Sequence, residues 1–121
     1  EALPELPTVI AGFSQGGIMS ASMGLTEPEL VKGFALLSGR MLREIEPQIA
    51  SANRLQSVSA FIAHGNRDGV LPVDWANEAD AWLKRIGVAH ETHLYDMAHE
   101  IVAEELADFS HWLTRTLSLS N

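Results

Sequence analysis

The sequence predicts an α/β fold in which a mostly parallel sheet is flanked by helices. Three observations carry that expectation. The runs Thr8 to Gly12, Gly33 to Gly39 and Val58 to Gly65 are apolar almost throughout, as strands buried on both faces are. Segments with apolar residues at helical spacing separate them, the alternation that builds parallel sheets. A glycine closes each run, where the chain has to turn.

Each element follows from its own residues. Thr8 to Gly12 is a short apolar strand of central, buried type, and Gly16 to Leu25 (GGIMSASMGL) is a small-residue helix able to pack closely on a sheet. Met19 and Met23 are expected to fill the core on that helix. Glu27-Pro28-Glu29-Leu30 reads as a short polar helical turn before the second strand. In the mixed stretch Arg40 to Gln56, Pro47 is expected to open a helix running to Leu55. After the third strand, Asp74 is expected to cap a helix whose apolar positions Trp75, Ala79, Trp82, Leu83 and Ile86 share one face, with Gly87 at the C-terminal cap. His90 to Tyr95 alternates weakly, as a more exposed last strand does. Glu100 to about Leu117 is expected to form the terminal helix through Ile101, Leu106, Phe109, Trp112 and Leu113, with Ser118 to Asn121 fraying.

Composition narrows the function. With 121 residues and 46% of them hydrophobic, the chain suits a single globular domain. A net charge of −8 without any Lys/Arg cluster argues against nucleic acid and anionic membranes as partners. No apolar run reaches the roughly 20 residues of a membrane span. Absence of cysteine removes disulfides, thiolate chemistry and Cys-ligated zinc; it fits a reducing compartment, and the cytoplasm is the expected location. Any catalysis then rests on oxygen and nitrogen groups. The chain opens on Glu1 and enters its first strand within ten residues, so it is expected to be a fragment or a processed chain.

Three loops hold candidate chemistry. Gly12-Phe13-Ser14-Gln15-Gly16 is a G-x-S-x-G at a strand-to-helix junction, where small neighbours let the chain turn tightly and lift the serine hydroxyl off the sheet. The Gln15 amide, at the helix N-terminus, faces the same spot and can stabilise an oxyanion. A serine there can equally cap the helix. Asp68, in HGNRDGVLP after the third strand, is either an orienting carboxylate or an Asp-Gly turn residue. His99, in MAHE after the last strand, is either a general base or a capping histidine. Chain order decides among these, because Ser14, Asp68 and His99 each follow a separate strand in the order Ser, Asp, His used by one class of serine hydrolases.

GFSQGG, HGNRDGVLP and MAHE resemble the three active-site blocks of the carboxylesterase/phospholipase branch of the α/β-hydrolases, which includes the acyl-protein thioesterases. The resemblance covers nearly the whole chain but only the C-terminal half of the family's fold. It implies Ser14 as nucleophile, His99 as general base, Asp68 as its orienter, Gln15 as an oxyanion donor, and Leu71 and Pro72 as an apolar wall near the acyl site. Gly39 suits the LSG that closes the family's next strand. A His-Gly loop supplying the second oxyanion donor belongs to the family's N-terminal half and has no counterpart here.

The remaining polar residues carry plainer expectations. His64 is expected to be a structural neighbour of Asp68, and His90, His93 and His111 to be solvated or hydrogen-bonded at the surface. A zinc-protease reading of His99-Glu100 fails because Ala103 stands where the second histidine is required. The tryptophans are expected to pack, and Glu100, Glu104, Glu105 and Asp108 to form a solvated face. The sequence therefore points to a serine hydrolase of carboxylic esters or thioesters that needs no metal or cofactor, with a small-molecule ester or thioester as substrate. The same residues would serve a peptidase or lactone hydrolase. An inactive half-domain acting as an assembly partner, as a homo-oligomer or with a missing N-terminal half, is the reading outside enzymes.

Overall fold

A computed structural model describes residues 8–41, 43–70 and 72–118. Strands β1 (Val9–Phe13), β2 (Gly33–Leu37), β3 (Ser59–Gly65) and β4 (Ala89–Tyr95) form one sheet in the order β1-β2-β3-β4, and every neighbouring pair is parallel. Helices α1 (Gln15–Thr26) and α3 (Asp74–Ile86) connect strands, and α4 (Ala103–Ser118) follows β4. The register pairs Phe13 with Leu37, Leu37 with Ala63 and Ala63 with His93, so the carboxyl ends of the strands lie side by side.

Side-chain alternation along the strands divides the core in two. Phe34, Leu36, Ala60 and Ile62 pack with Ala21 and Leu25 of α1 and with Ala76, Ala79, Trp82 and Leu83 of α3. Ala35, Leu37, Phe61 and Ala63 face the other way, onto Phe109, Trp112 and Leu113 of α4. β2 is buried at all five positions, as its apolar run requires. β1 instead is an edge strand with every residue partly or fully exposed, because among the described residues it pairs on one side only.

Several expectations are corrected. Pro47 does not open a helix to Leu55; it lies inside a 3-10 segment (Arg43–Gln48), and α2 (Ala52–Leu55) is a separate single turn. The Ala50 amide donates to the Leu25 carbonyl at the end of α1, 2.9 Å away, and that bond interrupts the helical ladder. Asp74 is the first residue of α3 rather than its cap; Val73 holds the cap position without a side-chain bond. The Asp74 carboxylate still favours the helix N-terminus by charge. Gly87 closes the helix in the left-handed region, φ 83°, as expected. α4 begins at Ala103, three residues late, because Glu100 closes a tight turn, its amide donating to the Ala98 carbonyl and its Oε2 accepting from the Ala98 amide.

Met19 and Met23 are not core residues. Met19 is 71% exposed, because α1 lies on the sheet through its small side, Gly17, Ser20, Ala21 and Gly24, which turns the methionines outward. In α4 the buried residues are Glu105, Trp112 and Thr116, whereas Leu106 is 51% exposed. Glu105 is therefore not on a solvated face. The expected fray of residues 119–121 lies outside the described residues.

Candidate active site

Ser14 sits between the end of β1 and the first residue of α1 with φ 60° and ψ −117°, a backbone conformation that costs a non-glycine residue energy. It is held there from both sides. Its amide donates to the Leu37 carbonyl at 2.8 Å, and its carbonyl accepts from Ile18 at 3.1 Å. The turn closes so tightly that a Cβ on Gly12 would lie 2.2 Å from the Gly16 carbonyl carbon, whereas a Cβ on Gly16 would meet nothing within 4 Å. Only the first of the two flanking glycines is required by contact.

The serine side chain makes no cap bond to its helix. Its Oγ is 2.9 Å from His99 Nε2, and His99 Nδ1 is 2.6 Å from Asp68 Oδ2. The alternatives open for Asp68 prove compatible, since its Oδ1 accepts the Val70 amide at 2.8 Å, as a turn-forming aspartate does, while Oδ2 faces the imidazole. The Asp68 side chain is fully buried and that of His99 is 17% exposed, so the imidazole alone of this pair reaches the surface. His64 is buried behind them with Nε2 3.4 Å from Asp68 Oδ2, the neighbour expected of it.

Two loops bring Asp68 and His99 together by continuing the β3–β4 pairing beyond the strand ends. Asn66 donates to the Tyr95 carbonyl at 2.8 Å and Arg67 to the Met97 carbonyl at 3.1 Å. The second loop crosses Gly65 so closely that a Cβ there would be 2.1 Å from the Met97 oxygen, so any side chain would lift the His99 loop away from the carboxylate. The exposed Arg67–Asp96 ion pair, 2.7 Å, adds little to this clamp.

The cleft beside Ser14 has a volume of about 580 Å³ and is lined by Phe13, Gln15, Ile18, Arg40, Val70 and Trp75. The Phe13 ring also packs on His99, 4.8 Å between centroids, which restrains the imidazole from the β1 side. Gln15 is the first residue of α1, where an amide has no partner within the helix. Leu71 lies outside the described residues, and Pro72 is exposed at the approach to α3. Sequence reasoning missed Phe13, Ile18, Arg40, Val70 and Trp75 as cleft residues. Phe13 was readable as the variable position of the G-x-S-x-G; Arg40 carries no motif signal beyond following Gly39.

Elsewhere, two of the other histidines have side-chain partners. His90 bonds the Val88 carbonyl and Asp80, His93 lies 2.9 Å from Glu91 and stacks on Phe61, and His111 is exposed. Hydrogen bonds from Thr92 and then His90 hold the Asp80 carboxyl below its ordinary range.

Known proteins resemble the chain in sequence and fold. Acyl-protein thioesterase 1 of Kluyveromyces lactis is 29% identical over 92% of the chain, and that of Gibberella zeae 34% over 93%. The chain covers 50% and 49% of those proteins, so it spans about half the length of the curated relatives it matches. The crystal structure of esterase PE8 superposes with a TM-score of 0.80 at 27% identity, covering 95% of this chain and 53% of that one. Arabidopsis thaliana SOBER1 gives 0.79 at 28% identity, covering 90% and 52%. Residues 1–117 match the family model for Phospholipase/Carboxylesterase, and the chain belongs to that family.

Proposed function

We propose that the chain carries the catalytic centre of a serine hydrolase that cleaves carboxylic esters or thioesters through an acyl-enzyme. The observation behind this reading is the continuous hydrogen-bonded line from Ser14 Oγ through His99 to the buried Asp68 carboxylate. Names among the relatives, acyl-protein thioesterase and esterase, support the substrate class.

In this mechanism Asp68 accepts Nδ1–H, which leaves the lone pair of Nε2 directed at Ser14. As Ser14 attacks the carbonyl, His99 takes the hydroxyl proton, and the charge that appears on the imidazole is balanced by a carboxylate that water cannot reach. The Gln15 amide and the α1 N-terminus stabilise the oxyanion. His99 then protonates the leaving alcohol or thiol, and water attacks the acyl-Ser14 ester by the same steps. We place the centre in the C-terminal half of such an enzyme. The matched relatives are about twice as long, and β1 is an edge that a further strand would cover. An unpaired β1 edge favours strand addition, so a segment limited to these 121 residues is expected to self-associate through β1.

Fluorophosphonate labelling tests the nucleophile without requiring fast turnover. The protein should take up one probe, and Ser14→Ala should abolish labelling while leaving the circular dichroism unchanged. Labelling that survives the substitution would overturn the assignment. Asp68→Asn should slow labelling without abolishing it, because the nucleophile remains while the imidazole loses its orienting acceptor.

A further inference from the structure

Arg40 stands just beyond β2, next to Gly39, whose own Cβ would come 2.9 Å from the Ser14 carbonyl oxygen; the segment therefore runs against the nucleophile turn. Its guanidinium lies over the Trp75 ring, 4.6 Å from the centroid. Both residues line the cleft beside Ser14, and both also line a second cavity of about 330 Å³ between the Arg43–Gln48 segment and α3. The pair is a shared wall. On the cleft side its described neighbours are Phe13, Gln15, Ile18, Val70 and Ser14 itself, so Arg40 is the one charged group facing that space.

Stacking satisfies only the face of a guanidinium. Its N–H donors point outward in the plane of the group, and they are the fork that binds a carboxylate bidentately. Among the described residues no carboxylate forms an ion pair with Arg40, although the chain carries 16 acidic residues and Glu44, Glu46 and Glu78 border the second cavity. A half-buried cation over an indole beside a nucleophile, with no carboxylate partner among the described residues, is preorganised for an anion brought by the substrate. One cation in an otherwise uncharged cleft balances one negative charge, which matches a carboxylate better than a phosphate dianion.

We infer that Arg40 is a specificity residue and that the cleft selects esters or thioesters bearing a carboxylate. This rests on Ser14 being the nucleophile of the cleft. Trp75 positions the guanidinium, and Phe13, Ile18 and Val70 hold the apolar part of the same substrate.

Two measurements test it. The first compares kcat/KM for mono-4-nitrophenyl adipate with 4-nitrophenyl hexanoate, and for 4-acetoxybenzoate with its methyl ester, which place the charge on the acyl and the leaving side respectively. In at least one pair the anionic-to-neutral ratio should fall roughly 10-fold to 100-fold in Arg40→Gln, be largely kept in Arg40→Lys and fall further in Arg40→Glu. Ratios that are the same in wild type, Arg40→Gln and Arg40→Glu for both pairs overturn the inference. The second needs no turnover. Monoethyl adipate should change the tryptophan emission of the Ser14→Ala protein saturably, with a Kd raised about tenfold or more by adding Arg40→Gln, and Trp75→Phe should identify the reporting ring. No saturable change, or one that Arg40→Gln leaves unaltered, also overturns it. Failure of the Ser14 reading appears separately, as fluorophosphonate labelling that survives Ser14→Ala.

Discussion

On the sheet face covered by α1 and α3, Phe34, Leu36, Ala60 and Ile62 meet Ala21, Leu25, Ala76, Ala79 and Leu83, all of them apolar. On the face covered by α4, Phe61 stacks on His93, meets Phe109 edge-on and packs tilted against Trp112, and polar groups are built into the packing. Tyr95 donates to Asp108 at 2.6 Å, Trp112 donates to Ser59 Oγ at 3.0 Å, and Glu105 is fully buried with no side-chain partner for its carboxylate. The difference separates two ways of holding a helix on a sheet. The first face depends mainly on area and close fit, with one titratable link at its β4 edge, where Asp80 of α3 accepts from Thr92 at 2.7 Å and lies 2.9 Å from His90. The second depends in part on the protonation of groups excluded from water.

The largest expected effect breaks the first face. Phe34→Ala removes a fully buried ring between α1 and the sheet and should cost about 3–5 kcal/mol in urea unfolding, by the same amount at pH 5 and pH 8. A loss below about 1 kcal/mol would show that this face is loosely packed.

Glu105 sharpens the contrast. Burial raises its carboxyl from 4.5 to about 7, with a smaller opposing contribution from the Val102 backbone. Tyr95, Asp108 and Glu104 around it offer no positive charge. Because the folded value lies above the unfolded one, its contribution is fully present below about pH 4.5. It is lost as pH rises toward 7, and absent above that. The linked change is about 3 kcal/mol. Glu105→Gln should therefore flatten the fall in stability between pH 4.5 and pH 8 by roughly that amount. If wild type and variant keep the same offset at both pH values, Glu105 does not titrate within the folded core.

How far the sequence could be read follows the same division. The proximity of Ser14, Asp68 and His99 was legible because each lies in a loop directly after a strand, and a parallel sheet gathers such loops at one edge. α3 was legible because large apolar residues mark its buried side. α1 was legible as a small-residue helix packing closely on the sheet, but the place of its methionines was not, because Gly17, Ala21 and Gly24 mark the buried side by smallness while hydrophobicity pointed to Met19 and Met23. In α4 a charged residue type hid the true stripe, in which Glu105 and not Leu106 turns inward. The break after Pro47 depends on a bond to Leu25, a partner that no local pattern reveals. Arg40 stayed silent because its meaning comes from Trp75, distant in sequence.

The smallest effect isolates one polar contact within the α4 face. Trp112→Phe keeps an aromatic ring against Phe61 and Phe109 but deletes the donor to Ser59 Oγ and leaves some unfilled volume. The Ser59 side chain is only partly buried and can turn to water, so the lost bond itself should cost near the low end of the usual 0.5–1.5 kcal/mol. Packing loss is expected to add a comparable amount, which the single variant cannot separate. A double-mutant cycle with Ser59→Ala can, because the volume lost on removing the indole is common to both arms. A coupling energy of about 0.5–1 kcal/mol, equal at pH 5 and pH 8, would mark this bond as a pH-independent element of the face. A coupling that varies with pH would tie it to Glu105 and extend the titrating unit from the first turn of α4 along the helix to Trp112.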